Sequence, residues 1–255
     1  MPVARRVLWA VPVAVVVAGS PSAGADPDIL WRVVNDQCVA GAVQSRDPAP
    51  CAAVDLSGGR ERGYAVFKDS VGPRQYLLLP TARITGIESP DLLDPGATNY
   101  FAAAWAARSF TEAAAGGTLP RDWMSLAVNS ASSRSQNQLH IHIDCIRSDV
   151  HAAITEHADA IGPHWAPFPE PLAGHTYSAI AVDGEELSVN PFRLLADTAG
   201  ADIGHYTLVV VGVRRGGLPG FVILADQADS AAGDWAGGEE LQDHDRCPPP
   251  SAGGK

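Results

Sequence analysis

The 255-residue chain is predicted to fold as an α+β domain with a mostly antiparallel sheet, two main helices, an N-terminal helix and extra C-terminal strands. Two observations predict this class. Short segments rich in apolar and β-branched residues follow one another along the chain, separated by turns that contain Gly and Pro. Among them lie two helical segments, an Ala-rich run over 97–115 that ends at Gly116-Gly117 and a shorter run over 149–160.

The elements are expected in a simple order. A short amphipathic helix covers 27–37, because its apolar residues recur at helical spacing. The turn Ser57-Gly58-Gly59-Arg60 predicts a hairpin between the first two strands, and the four prolines of 161–174 predict a loop. An antiparallel pairing of the fourth and fifth strands places Asn129 near the mouth of the loop between them. The expected strands are 52–56, 63–68, 75–80, 123–129, 138–145, 175–182, 205–214 and 220–225.

The N-terminus has the composition of a targeting segment. Arg5-Arg6 is followed by the apolar run 7–19 and by Ala23-Gly24-Ala25, a small-x-small sequence typical of a signal-peptidase site. The run is shorter than the ~20 residues of a membrane span. We therefore expect export to the periplasm or cell envelope, with residues 1–25 acting as a signal peptide or as an uncleaved inner-membrane anchor. Residues 26–247 are the expected domain, and 248–255 an expected disordered tail.

Export places the four cysteines in an oxidising compartment, where they can form two disulfides. Four cysteines allow three pairings. We favour Cys38 with Cys51, which are close in sequence, and Cys145 with Cys247, which would tie the C-terminal tail to the fifth strand. A cysteine-based metal site is less favoured, because no two cysteines have the C-x-x-C spacing.

The formal net charge is −11, and the Lys and Arg residues are scattered along the chain. Non-specific nucleic-acid binding needs a basic patch, so we expect no nucleic-acid partner. A small anionic ligand can still bind at a local site.

The stretch from Gln138 to Cys145 alternates polar and apolar residues, which is the pattern of a half-buried strand. One face is expected to be accessible and the other to face the core. The accessible face carries Gln138, His140, His142 and Asp144, and the core face carries Leu139, Ile141, Ile143 and Cys145.

Three interpretations compete for His140 and His142. They are structural or surface histidines; or they chelate a metal; or one attacks phosphorus while the other donates to a phosphate oxygen. Two imidazoles in register beside hydroxyl and amide groups argue against the first interpretation. The second needs a third ligand, from Asp144, His164, His175, His205 or His244.

Spacing favours the third interpretation. The run from Asn129 through Ser135 to Gln138-Leu-His140-Ile-His142-Ile resembles the histidine-triad (HIT) motif, with Gln138 in place of the first histidine. The resemblance implies a HIT-like fold with His140 as nucleophile and His142 as phosphate-binding residue. It also implies that Ser135 and Asn129 bind the phosphate and stabilise the site. Gln138 is expected to contribute as an amide donor to a phosphate oxygen.

An upstream segment resembles the nucleotide-binding half of HIT proteins, in which an aromatic-x-Asp precedes a Pro-containing turn and an apolar strand. On this resemblance Asp69 faces the ribose and Gln75 the nucleotide or phosphate. Lys68, a cation in the same segment, is expected to share the charge stabilisation. Asp69 can also be read simply as a turn residue.

Longer segments resemble a narrower family within the HIT-like superfamily, the exported bacterial CDP-diacylglycerol pyrophosphatases. The resemblance implies hydrolysis of the lipid pyrophosphate to CMP and phosphatidate at a membrane surface, through a cytidylyl-histidine on His140. No cofactor or metal is expected at the site, because Ser135, Gln138, His142 and Lys68 share the charge stabilisation. The matching segments are 30–34 with Cys38, 48–51, 75–78, 83–90, 136–143 and 241–244 before Cys247.

Two alternatives stay open at this point. The chain could be a phosphodiesterase or nucleotidyl transferase with broader nucleotide specificity, or an exported nucleotide- or metal-binding module without turnover. His244 is a further candidate for the site if Cys247 holds the tail over it; otherwise it is an exposed tail histidine.

Overall fold

The computed structural model describes residues 26–249, and within that range nine strands form one antiparallel sheet. The strand order across the sheet is β1-β2-β3-β5-β4-β8-β9-β7-β6. The strands are Ala53–Asp55 (β1), Tyr64–Lys68 (β2), Tyr76–Pro80 (β3), Met124–Val128 (β4), Ile141–Cys145 (β5), Ala166–Pro167 (β6), Ser178–Asp183 (β7), Tyr206–Arg215 (β8) and Leu218–Gln227 (β9).

Helices cover both faces of the sheet. The N-terminal helical segment consists of Ile29–Arg32 (α1), a π-helical stretch Val33–Val39 and Ala40–Ser45 (α2). The other helices are Tyr100–Ala114 (α3), Ser148–His157 (α4) and Pro191–Ala199 (α5). Short 3-10 turns lie at Arg60–Arg62, Pro90–Leu93, Arg121–Trp123, Gly200–His205 and Gly238–Leu241.

The first face of the sheet packs against α3 and α5. Asn99 caps α3 by accepting a hydrogen bond from the Ala102 amide, and the small alanines of α3 let it lie close to the sheet. Its aromatic residues pack in the core: the Trp105 ring lies 4.9 Å from the ring of Phe221, and Phe101 lies 5.0 Å from Phe192 of α5. This face therefore supplies the main core behind the histidine strand.

The second face carries two smaller apolar clusters. The N-terminal helical segment covers one half of the sheet, where Val34 and Cys38 pack on Leu77 and Leu79. Helix α4 covers the other half and packs on β8 and β9. His142 pairs with Leu77 on one side and Ala127 on the other, residues that belong to these two clusters. The histidines consequently lie on the second face, in the gap between the clusters.

The two disulfides join Cys38 to Cys51 and Cys145 to Cys247, which are the two favoured pairings. The second one ties the C-terminal segment to the end of β5. That segment continues the sheet locally, since Gln242 pairs with Ile146 and the Asp243 amide donates to the Cys145 carbonyl.

The α+β class and the antiparallel sheet are confirmed, and the predicted hairpin and the β4–β5 pairing are present. Three expectations need correction. The N-terminal helix extends to Ser45, because Val39 and the disulfide at Cys38 give this Gly- and Ala-rich stretch a core to pack on. Helix α5 was not predicted. The segment after Asp226 is not held by Cys247 alone, because Ala236 and Leu241 are fully buried.

The expected targeting segment 1–25 and most of the expected tail 248–255 lie outside the described residues. No helix within residues 26–249 has the length and apolar character needed to cross a membrane.

Candidate active site

His140 immediately precedes β5, and its ring is held in one tautomer by the backbone. Its Nδ1 lies 2.7 Å from the carbonyl oxygen of Gln138. Because a carbonyl can only accept, Nδ1 carries the proton and donates it, which leaves the lone pair on Nε2. An imidazole in this state can act as a nucleophile through Nε2.

His142 is held differently. Gln75 Nε2 lies 2.6 Å from its Nδ1, and a carboxylate oxygen of Glu239, Oε2, lies 3.3 Å from the same nitrogen. With Nδ1 accepting from the Gln75 amide, the ring proton lies on Nε2, which is buried and has no hydrogen-bond partner within the described chain. Nε2 is therefore the donor that a phosphate oxygen could use.

Both imidazoles are almost fully enclosed, with 8% of His140 and 5% of His142 exposed. Burial is the main cause that lowers the pKa of each ring to about 4, because the charged form loses its hydration. The neighbouring His142 lowers the pKa of His140 further. The two rings, 4.9 Å apart between centroids, are thus neutral at pH 7.

This burial corrects the expectation of an accessible histidine face. Every residue of β5 is buried, because chain segments cover the histidine face as well as the core face. The N-terminal segment reaches the site through the Leu30 amide, which donates to Gln136 Oε1. The C-terminal segment reaches it through Gln242, whose amide donates to the His142 carbonyl.

A cavity of about 350 Å³ opens onto the two imidazoles. Polar side chains occupy its inner wall, and apolar side chains of the N-terminal helix and of the turn after β2 form part of the remainder. The lining residues are Ile29, Leu30, Asp69, Ser70, Val71, Leu77, Asn129, Ser133, Ser135, Gln136, His140, His142 and Glu239.

Three other residues predicted for the site line this cavity with the histidines: Ser135, Asn129 and Asp69. Ser135 is exposed to the cavity. Asn129 donates to Glu239 Oε1 at 2.9 Å and accepts from the Glu239 amide at 3.3 Å, so it positions that carboxylate. Asp69 accepts from the Val71 amide, as a turn residue does, yet its charge also raises the pKa of both histidines against the effect of burial.

Three predicted residues take other positions. Gln138 is fully buried, and its amide donates to the carbonyls of Pro80 and Ala82, so this nitrogen is not free for phosphate. Lys68 donates to the carbonyls of Asp69 and Gly72 and stabilises the turn there. Gln75 orients His142 and does not line the cavity. Each of these amide and ammonium groups donates to a nearby acceptor. A sequence motif does not show which acceptor the fold brings close.

Glu239 is a site residue that the sequence reasoning missed. It lies in the turn Gly238–Leu241 and is separated from Asn129 by 110 positions. No local pattern distinguishes it, since it follows a Gly-rich stretch in a polar tail. The disulfide at Cys247 was the one sequence signal that this segment approaches the histidine strand.

His244 lies beside the site without lining the cavity. Its Nδ1 lies 3.0 Å from Oδ2 of Asp144, and this hydrogen bond raises the pKa of His244. Burial raises the pKa of Asp144 more than His244 lowers it. The tail lies directly against the turn after β2. Gly72 has no room for a side chain, because a Cβ at that position would lie 2.3 Å from the His244 carbonyl oxygen. His244 therefore fixes the tail to β5 as a half-buried residue.

The chelate interpretation of the two histidines lacks a third ligand. Of the described residues, several His, Cys, Asp and Glu groups lie close enough to share an ion, but none of these groups includes His140 or His142. The site instead combines a neutral imidazole with a free lone pair, an unpaired imidazole N–H and a serine hydroxyl in one enclosed cavity.

Fold and site together define an α+β protein with a buried histidine pair suited to chemistry on a phosphate ester or anhydride. The family model for CDP-diacylglycerol pyrophosphatase matches residues 25–248. A Yersinia pestis protein named CDP-diacylglycerol pyrophosphatase is 41% identical over 221 residues, which cover 85% of this chain and 83% of that protein. The chain belongs to the CDP-diacylglycerol pyrophosphatase family, a family of hydrolases.

Proposed function

We propose that the protein hydrolyses the pyrophosphate bond of CDP-diacylglycerol to CMP and phosphatidate, with His140 as the nucleophile. The observation that carries this proposal is the Nδ1–H of His140 donating to the Gln138 carbonyl, which leaves Nε2 as a lone-pair nitrogen at the cavity. The family match supplies the substrate class.

In the first step, Nε2 of His140 attacks the phosphorus next to cytidine. The bond from that phosphorus to the bridging oxygen breaks, and phosphatidate leaves with the bridging oxygen and its electron pair. His142 Nε2–H and the Ser135 hydroxyl would donate to the non-bridging oxygens as negative charge shifts onto them. This role is supported by the position of both residues at the cavity and by the lack of another hydrogen-bond partner for His142 Nε2 among the described residues. The product of this step is cytidylyl-His140.

In the second step, water attacks the same phosphorus and the P–N bond breaks. The electron pair returns to Nε2 of His140, the oxygen of water becomes part of CMP, and one proton is released. Glu239 and Asp69 are the carboxylates of the cavity wall that can accept this proton or pass it to solvent.

We also propose that the domain acts in the cell envelope, where residues 1–25 would deliver it to the membrane that holds its substrate. The basic and apolar composition of this segment and the two disulfides support export. Fractionation of cells that express the full chain, followed by N-terminal sequencing, would distinguish a cleaved signal peptide from an anchor; recovery in the cytosol would contradict export.

The purified full chain tests the nucleophile directly. His140→Ala should lower turnover of CDP-diacylglycerol by several orders of magnitude, whereas loss of one phosphate donor through Ser135→Ala should cost about 10²–10³-fold. Quenching with alkaline denaturant, in which the P–N bond of a nucleotidyl-histidine is stable, and with substrate labelled in the cytidylyl phosphate, should trap the label on His140 and not on His142.

His164→Ala is the matched control, because His164 is exposed and lies outside the cavity. Near-wild-type turnover by His140→Ala would overturn the assignment. Turnover of CDP-choline at a rate comparable to that of CDP-diacylglycerol would favour a nucleotide phosphodiesterase of broader specificity, and absence of turnover on either would favour a binding module.

A further inference from the structure

We propose that His175, Asp226 and Asp234 form a binding site for a divalent transition-metal ion, with Zn²⁺ as the best-matched ion, apart from the His140 cavity. One ligand atom from each residue lies within 4.8 Å of the others. None of the three lines the cavity at the histidine pair.

Three separate elements bring these residues together. Asp226 is near the end of β9, and His175 precedes β7, the strand that pairs with β9. Asp234 lies in a turn closed by a bridge between Asp229 and Asp234. An ion here would thus join the turn to two neighbouring strands of the sheet.

Asp226 is the residue that points to a missing partner. Only 6% of it is exposed, and within residues 26–249 its buried Oδ2 receives no hydrogen bond from an N–H or hydroxyl group. The polar neighbour of its carboxyl group is a second carboxyl group, that of Asp234. Buried carboxylates are normally paired or bound to a metal. Asp144, the other strongly buried aspartate described in this sheet, shows the ordinary outcome, because it accepts from the Cys145 amide and from His244.

The charges around Asp226 are also uncompensated. Asp234 is its close neighbour, and Glu240 Oε2 lies 3.5 Å from His175 Nε2. Over residues 26–249, neither Asp226 nor Asp234 forms an ion pair with Lys or Arg; the one contact with a basic side chain joins Asp234 Oδ2 to His175 Nδ1. A dication would supply the missing positive charge.

The types of ligand atom indicate which kind of ion would bind. Ca²⁺ and Mg²⁺ prefer oxygen ligands alone, whereas one imidazole with carboxylates suits Zn²⁺. His175 Nδ1 lies 2.7 Å from Asp234 Oδ2, so this nitrogen faces the ligand cluster, while Nε2 faces Glu240. Coordination through Nδ1 would leave Nε2–H donating to a carboxylate, the usual outer partner of a metal-bound histidine. Water can complete a tetrahedral site.

The position of the site gives it a structural role. The turn that carries Asp234 continues into Ala236, whose carbonyl accepts from the Ser130 amide, and then into Glu239 at His142. A bound ion would anchor this segment to the sheet and stabilise the folded state by mass action.

Direct metal binding tests the proposal on the full chain stripped with chelator. Calorimetric titration with ZnCl₂ should give one equivalent bound with a Kd of about 1 μM or tighter. Asp234→Asn and His175→Gln should each weaken binding by roughly 100-fold or more, since each removes a ligand. Co²⁺ should give a visible absorption band in the wild type that both variants lose.

The exposed group Glu156, His157 and Glu170 provides the control, because it has the same ligand types without a buried, unpartnered carboxylate. Glu170→Gln should leave the affinity unchanged. Absence of Zn²⁺ binding, or binding that survives both Asp234→Asn and His175→Gln, would overturn the proposal. Thermal unfolding of each variant in chelator verifies that it is folded, so that lost binding reports the site.

Discussion

At the scale of single residues, the site depends on hydrogen bonds that assign different protons to two adjacent histidines. The carbonyl of Gln138 keeps a proton on Nδ1 of His140, and the amide of Gln75 meets Nδ1 of His142. One ring consequently offers a lone pair at Nε2 and the other a proton at Nε2. This division of roles is what attack on a phosphate and stabilisation of its oxygens require.

The lowered pKa values predict an unusual pH profile. His140 must be neutral to attack, so kcat/KM should fall on the acid side with an apparent pKa of about 4, where an ordinary histidine would give about 6.5. At pH 5 about nine-tenths of the nucleophile would still be active, compared with roughly 3% for an unperturbed imidazole.

Measuring kcat/KM from pH 4 to 8, with circular dichroism to verify folding at each pH, checks this prediction. An acid limb near pH 6.5 would contradict the neutral, buried state of His140.

Glu239 should contribute to turnover through its carboxylate. Glu239→Gln keeps the size of the side chain but removes the charge-assisted hydrogen bond that the carboxylate accepts from Asn129, which is worth about 1.5–3 kcal/mol. We expect kcat to fall by roughly 10- to 100-fold.

Glu185→Gln is a suitable control, because Glu185 pairs with Arg121 on the surface away from the cavity. Steady-state kinetics on both variants checks the prediction. A Glu239→Gln variant with unchanged kcat would exclude a role for this carboxylate in turnover.

At the scale of elements, the C-terminal segment and β5 form one unit through the Cys145–Cys247 disulfide, which spans 102 positions, whereas Cys38–Cys51 spans 13. Chain-entropy arguments give about 4.7 kcal/mol for a 100-residue loop and about 3 kcal/mol for a 15-residue loop. Replacing Cys145 and Cys247 by Ser should therefore lower the free energy of unfolding more than the same change at Cys38 and Cys51.

The same variant should also lose more activity, because it removes the covalent anchor of the segment that carries Glu239, Gln242 and His244. Urea unfolding and turnover, measured on both double variants at a temperature where each is folded, make the comparison. Equal loss of activity in the two variants would contradict a specific role for the C-terminal segment.

The elements differ in how far the sequence predicted them. The strands and α3 were predictable because period-2 alternation and an Ala-rich run are local signals. The segments that cover the histidine face were not predictable. Alternation shows which residues share a face of the strand, but it does not show which distant segment packs on that face. Glu239 and the Asp226 cluster depend on such long-range packing. The contacts of Gln138 were not predictable for a related reason: the motif gave its position, but the carbonyls of Pro80 and Ala82 that its amide binds come from another segment.

At the scale of the whole molecule, the cavity is much smaller than the proposed substrate. A volume of about 350 Å³ can hold a nucleotide-sized head but not two long acyl chains. If the protein buried the chains, each additional methylene would contribute about 0.8 kcal/mol. We expect instead that kcat changes little between short- and long-chain CDP-diacylglycerol presented in the same detergent micelles.

Turnover of dioctanoyl and dipalmitoyl substrates at equal surface concentration in those micelles checks this expectation. A steep rise in kcat/KM with each added methylene would instead indicate a lipid-binding groove in the protein.

The disulfide between the C-terminal segment and β5 also affects when the site is completed during maturation of the protein. Glu239 and Cys247 follow both histidines in the chain by about 100 positions, and the bond between Cys145 and Cys247 closes only under oxidising conditions. A nascent chain that ends before these residues, or a reduced chain, would possess both histidines and still have an unfinished site. Maturation thus couples completion of the site to synthesis of the C-terminal segment and to the redox state of the surroundings.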